Sequence, residues 1–181
     1  MDFLNLVKTR YSVRGYLDKP VKREKIERCL EAARLAPSTS NSQPWRFIVV
    51  DDPELKDAVA RETFGKLLSF NHFSLQAPVL ILVTSEKPSL TIRIAGVIKK
   101  RKFNLIDIGI AAEHLCLQAV EEGLGTCILG WFNEAGVKKL LKIPSHRRVE
   151  LIITMGYPDE SAKKGPKRRK EMDIIRSYNH Y

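Results

Sequence analysis

The sequence predicts a single-domain sandwich of helices against a sheet, of α/β or α+β type. Three observations carry that reading. Runs rich in β-branched and aromatic residues alternate along the chain with segments whose apolar residues recur every three or four positions. Two of the strand-like runs are apolar throughout, the pattern of strands covered on both faces. The third is the balance itself: 181 residues, 44% hydrophobic and 29% charged, suit one compact domain with a core that needs no disulfide staples.

Each element has its own signal. DFLNLVKT (2–9) reads as a short helix ending at the polar stretch RYSVRG. Residues 22–35 place Ile26, Cys29, Leu30 and Ala33 on one helical face, with Pro37 beyond its end. PSTSNSQP (37–44) is a loop by composition, and WRFIVV (45–50) a strand. Asp51-Asp52-Pro53 is a cap and proline start for a helix over 53–68, with Leu55, Val59 and Leu67 on its apolar side. Pro78 opens the strand VLILV (79–83), and 84–103 reads as a basic helix or lid. DIGIAAEHLCLQAVEE (107–122) is the strongest helix, stopped by Gly123 and Gly125. A strand at 126–129, a short helix at 134–142 and a strand at 149–155 follow. The basic, proline-broken segment 157–181 has little with which to make a core, and is expected to be an arm packing on a partner subunit.

Several function classes fall away. No apolar run approaches the ~20 residues that span a bilayer, and no signal-peptide pattern opens the chain, so a soluble cytoplasmic protein is the expectation. The three cysteines show no CxxC spacing, and the four histidines no HxxxH or HExxH spacing, which disfavours zinc and thiol redox chemistry. GxSxG, GxxxxGK[ST] and a GxGxxG after a strand are all missing. What stands out is charge: 31 Lys and Arg against 21 Asp and Glu give +10, concentrated at 99–102 and 163–170. Such an excess suits a phosphate-bearing partner.

Two polar clusters offer a site. Arg10-Tyr11-Ser12-Val13-Arg14 sets two guanidinium forks around a small hydroxyl residue, which suits phosphate oxygens, though a solvated arginine pair has the same spacing. The loop Pro37 to Trp45 holds amide and hydroxyl groups between prolines and can present fixed donors and acceptors to a planar heterocycle; a turn cluster with Asx and Ser capping has the same composition.

RYSVRGY followed by LEAARLAPSTSNSQPWRFIVV resembles the opening of the FMN-dependent nitroreductase family. The likeness continues in order through QAPVLILV, IDIGIAAEHLCLQAVEEGLGTCILGWF, LLKIPSHRRVELIITMGYP and KRRKEM, nearly the whole chain. The resemblance implies an α+β fold, a three-layer α-β-α sandwich whose C-terminal arm reaches the partner subunit. It implies a homodimer with FMN at the subunit interface. It assigns Arg10, Tyr11, Ser12 and Arg14 to the FMN site, Arg10 at the phosphate and Arg14 nearer the pyrimidine side. Lys167 and Arg169 match the basic pair that the family's arm adds to the phosphate. Pro37, Ser38, Thr39 and Asn41 match the loop beside the flavin, contributed by the other subunit. Asn71 matches an asparagine at the flavin's edge, and Leu129 and Gly130 the strand end whose backbone approaches the ring. Ser74 departs from the pattern, since some members carry lysine there; Arg14 then becomes the main cation for reduced flavin, or the potential is lower.

The function implied is an FMN-dependent oxidoreductase. It takes electrons from NADH or NADPH and passes them to nitroaromatic, quinone or related small-molecule acceptors, with ping-pong kinetics. No catalytic residue is named, because the flavin carries the chemistry. Two other readings compete: a basic nucleic-acid-binding module, disfavoured because the basic runs lack interleaved aromatics, and an FMN store or sensor without turnover.

Overall fold

The computed structural model describes residues 2–65, 69–86, 101–162, 165 and 167–181. Six helices are described: α1 (Phe3–Thr9), α2 (Arg23–Arg34), α3 (Pro53–Arg61), α4 (Phe103–Glu121), α5 (Glu134–Leu140) and α6 (Met172–Ile175). Four strands accompany them: β1 (Trp45–Val50), β2 (Val79–Ser85), β3 (Gly125–Leu129) and β4 (Arg148–Gly156). The sheet order is β1-β2-β4-β3 and every neighbouring pair is antiparallel, which makes the fold α+β.

The period-two alternation of β2 accounts for its unbroken apolar run. Val79, Ile81 and Val83 join Ile153 and Met155 on one face, where α2 supplies Ile26, Cys29 and Ala33, and α4 supplies Ile108, Ala111 and Leu115. Leu80 and Leu82 join Ile152 and Leu129 on the other face, under Val59 and Ala60 of α3 and Val137 of α5. Three layers result, as the resemblance implies. Strand register is regular from Trp45↔Ser85 to Val50↔Leu80, whereas the β2–β4 pairing shifts between Val83 and Thr84.

Caps fall where the sequence places them. Asp52 accepts from the Leu55 N–H ahead of Pro53, and Gly123 ends the turn after α4 with φ +73. Some boundaries differ. Helix α3 ends at Arg61 rather than 68, because the Thr63 N–H and hydroxyl both bond the Ala60 carbonyl and close the turn. Residues 66–68, with Leu67, lie outside the described residues, as do residues 87–100 of the expected lid. Helix α4 begins one turn early, at Phe103, and a 3-10 turn over His72–Gln76 carries no signal in the sequence. Among the described residues, α4 is the one helix long and apolar enough to cross a membrane; here its apolar stripe packs on the sheet and on α2.

The three cysteines are buried and free. Burial pushes the Cys29 thiol up to about 12 and the Cys116 thiol up to about 11, so both stay protonated and inert near neutrality. Among the described residues, no three His, Cys, Asp or Glu side chains gather as a metal ion would need.

Candidate functional site

The segment after α1 is held in place by β3 and β4. Ser12 bridges Thr126 in parallel fashion, and the Val13 N–H donates to the Thr126 carbonyl at 2.9 Å. This approach requires glycine at 125: a Cβ there would lie 2.4 Å from Val13 Cγ2. Tyr16 completes the attachment, its hydroxyl 3.1 Å from the Val13 carbonyl and 2.6 Å from Thr154 Oγ1. Burial drives its phenol pKa strongly upward, so the group remains a neutral hydrogen-bonding staple.

Cations collect at the start of this segment. Arg10 turns Nε toward Glu113 Oε1 of α4 at 3.3 Å. The Lys167 ammonium donates to the carbonyls of Val7, Lys8 and Arg10 at 2.8, 2.7 and 2.9 Å. Its pKa is lowered by desolvation first and then by the nearby charges of Arg169 and Arg10. Lys167 therefore stands within electrostatic reach of both Arg169 and Arg10, with Glu113 as the opposing charge.

A second group forms around the end of β3. The Arg14 guanidinium sits 6.0 Å from the Phe73 ring centroid and 3.5 Å from the Ser12 carbonyl. Asn71 is buried, and its amide nitrogen donates to the carbonyls of Thr63 and Trp131, each at 3.1 Å. Both amide protons are thereby committed, which leaves Oδ1 as the atom suited to meet a ligand. Trp131 directly follows Leu129 and Gly130, so Arg14, Asn71 and the β3 end share one neighbourhood. Beyond its two chain neighbours, no atom of the described residues lies within 4 Å of where a Gly130 Cβ would stand, so its backbone is open to close approach. Phe70 and Trp131, both exposed, stand beside Asn71 with ring centroids 6.4 Å apart.

Ser74 packs beneath the same turn, against Thr63 and α3. It is fully buried, with Oγ 2.9 Å from Thr63 Oγ1 and 3.4 Å from the Ala60 carbonyl. A lysine at this position would have to open the packing against α3.

The loop Pro37, Ser38, Thr39 and Asn41 stands apart from these groups. Thr39 donates from its N–H and its hydroxyl to Asp107 Oδ1 of α4, at 3.1 and 3.0 Å. Asp107 is buried, and its other oxygen, Oδ2, has no hydrogen-bond partner among the described residues. Ser40, Asn41 and Gln43 adopt positive φ of 50, 53 and 44, a conformation that is strained for residues with a side chain. Asp107 and Glu113 are six residues apart on one helix, so they point about 120° apart around its axis. The loop and Arg10 therefore occupy different faces of α4 within one chain.

The stretch Tyr11–Gly15 borders a cleft of about 40 Å³. A larger cavity of about 570 Å³, between Tyr16, Asp51, Lys56 and Pro78, holds none of the candidate residues.

Two residues that tie the site together escaped the sequence reading. Asp107 and Glu113 sit in the run IDIGIAAEH and read there as polar positions of a helix. The available signal was a carboxylate beside the apolar stripe of a core helix, which needs partners when buried.

The nitroreductase family model matches residues 7–72 and 65–157. A relative from Methanothermobacter thermautotrophicus, provisionally named an NADH dehydrogenase/NAD(P)H nitroreductase, is 32% identical over 166 residues, 89% of this chain and 80% of its own. An iodotyrosine deiodinase from Thermotoga neapolitana is 30% identical over 197 residues, covering 98% of this chain and 97% of its own. Among solved structures, an FMN-dependent nitroreductase from Clostridium difficile superposes with TM-score 0.80 at 31% identity, over 99% of this chain and all of that one. On this evidence the chain belongs to the nitroreductase family.

Proposed function

We propose that the chain is an FMN-dependent oxidoreductase that takes electrons from NADH or NADPH and delivers them to nitroaromatic, quinone or related acceptors, as a homodimer with FMN at the subunit interface. The observation that carries this reading is the gathering of Arg10, Lys167 and Arg169 beside the segment pinned to β3. Three cations opposed by one carboxylate form a positive field suited to a phosphate, and arginine forks add charge-assisted bonds. FMN, when bound, accepts a hydride and passes electrons on in two-electron steps.

The remaining residues bind, orient and tune. Arg14 supplies a cation beside the Asn71 turn, where it favours a ring that gains negative charge on reduction. Asn71 offers a carbonyl oxygen to a ring N–H, and Gly130 offers backbone without a side chain in the way. Phe70 and Trp131 provide apolar walls for an acceptor. The Pro37–Asn41 loop serves the partner's site. Exposed Phe3 and Leu4 on α1, Leu105 and Ile106 on α4, and Ile174 on the arm give the dimer its apolar surface.

The test is an anaerobic absorbance titration of the purified protein. Flavin bands near about 450 nm that bleach with NADH or NADPH support the oxidoreductase, and identify its donor. Bands that persist with both point to an FMN store. A protein that retains no flavin bands after incubation with FMN and removal of the unbound cofactor removes the reading and advances the nucleic-acid alternative. Reductive dehalogenation is a second reading, favoured by the deiodinase relative that spans the whole chain. Iodide release from iodotyrosine by the reduced protein, faster than reduction of a nitroaromatic, would establish it.

A further inference from the structure

We propose that a cleft where β1 begins and β2 ends, lined by none of the residues assigned to flavin, is a binding site for an organic phosphate monoester, held by Arg46, Lys142 and Arg147 over a floor of Ile48 and Ile143.

The cleft measures about 470 Å³, within the range that encloses small ligands. Alternation places Arg46 and Ile48 on one face of β1, with Arg46 opposite Thr84 of β2. Ile48 and Ile143 pack against the core of that face and give the cleft its apolar floor. The loop after α5 makes the facing wall. There the Ile143 N–H donates to the Lys138 carbonyl at 2.9 Å and the Lys142 N–H to the Lys139 carbonyl at 3.4 Å. These bonds put Lys142 at the left-handed position that follows a helix, with φ of 53. Glycine is the usual residue at that position. A lysine there costs stability, and what it supplies in return is a cation at the cleft.

The charges do not balance. Arg46 and Lys142 are exposed and have no ion-pair partner among the described residues. Arg147 lies against Glu86, whose N–H is anchored to the Pro44 carbonyl at 2.9 Å. The Arg147 Nη1 is buried yet makes no hydrogen bond among the described residues, because its contact with Glu86 is off the direction that such a bond needs. An unmet buried donor is costly, and an anion seated in the cleft offers the acceptor it lacks. Glu134, the next carboxylate, is held by Lys138 and Arg148 and does not line the cleft. Three cations against Glu86 leave two positive charges over, the complement of a phosphate dianion. The apolar floor calls for an organic group on the ester.

Titration of the full-length protein with phenyl phosphate, followed by phosphorus NMR, tests the site. Binding should saturate with a dissociation constant at or below about 1 mM. It should weaken as salt rises and exceed the affinity for inorganic phosphate by roughly tenfold. Lys142→Gly should raise the melting temperature by roughly 2–4 °C, through relief of the left-handed turn, and still bind phenyl phosphate roughly tenfold more weakly. Arg147→Met should lose about as much affinity. Glu86→Gln, which removes the opposing charge, should bind roughly threefold more tightly. Arg10→Ala should bind as the wild type does. A stabilised Lys142→Gly with unchanged affinity would overturn the proposal, as would equal affinity for inorganic phosphate or no saturation by about 10 mM. Loss of binding in Arg10→Ala would place the phosphate ester at the candidate flavin site and overturn it too. The outcome does not depend on whether the protein binds FMN.

Discussion

Individual side chains in this protein act through pairings that sequence distance conceals. Arg10 meets Glu113, and Thr39 meets Asp107, each across more than half the length of the chain's first two thirds. Arg10→Ala should weaken FMN binding by about 1–3 kcal/mol, the range for loss of a hydrogen bond to a charged group. Fluorescence quenching on FMN titration measures this, and an unchanged dissociation constant would reassign the phosphate. Asp107→Ala would strip both donors of Thr39 of their acceptor and relax the strained turn at Ser40 and Asn41. It should cost about 1–3 kcal/mol of stability by chemical denaturation, with FMN retention falling in parallel. Equal stability would mean that the turn is held by its own local bonds, such as that from the Gln43 N–H to Ser38 Oγ at 2.9 Å. Ser74 marks a different limit. It is fully buried against Thr63, so a charged side chain at that position would have to open the packing against α3.

At the scale of elements, what matters is how the segment 11–16 is fastened to β3 and β4. Gly125→Ala brings a methyl group within 2.4 Å of Val13 Cγ2 and about 3.0 Å of Pro158 Cγ. It should destabilise by about 1–3 kcal/mol, the cost of overpacking, and displace Ser12 and Arg14 together. Thermal melts of the apo and FMN-loaded forms check this: the loaded form should lose more, because the segment is also the proposed seat of the cofactor. The arm is the other such element. Its Met172, Ile174, Ile175 and Tyr178 are exposed, and the proposed homodimer would cover them with a second copy. Truncation before Pro166 should lower both the sedimentation coefficient and flavin content. If both stayed at their wild-type values, the arm would have no part in the dimer or the site.

For the molecule as a whole, one ion pair links the helical layer on the first core face and carries a pH dependence. Arg28 of α2 bonds Glu122, at the end of α4, through Nε at 2.6 Å and Nη2 at 2.7 Å. Those bonds hold the Glu122 carboxyl down at about 2, from 4.5. A depressed folded-state pKa stabilises fully above pH 4.5 and the contribution is lost as pH falls toward 2. Denaturant midpoints of the wild type should therefore drop across that window more steeply than those of Glu122→Gln, and parallel slopes would show that the pair is screened by solvent. The legible part of this architecture was local. Alternation in VLILV and the i, i+3, i+4 stripes of Ile26–Ala33 and Ile108–Ala119 specify strands and helices, because burial of one face depends only on a residue's neighbours along the chain. Asp52-Pro53 and Gly123 mark ends for the same reason. The sequence by itself thus determined the elements, the basic excess and the motif set that carries the family. Only the tertiary structure decided that the four described strands pair antiparallel, that Lys167 reaches the end of α1, and that Asp107 and Glu113 hold the loop and Arg10 on different faces of α4. Those are contacts between residues far apart in the chain, and no local propensity encodes which distant partner a charge or a hydrogen-bonding group will meet.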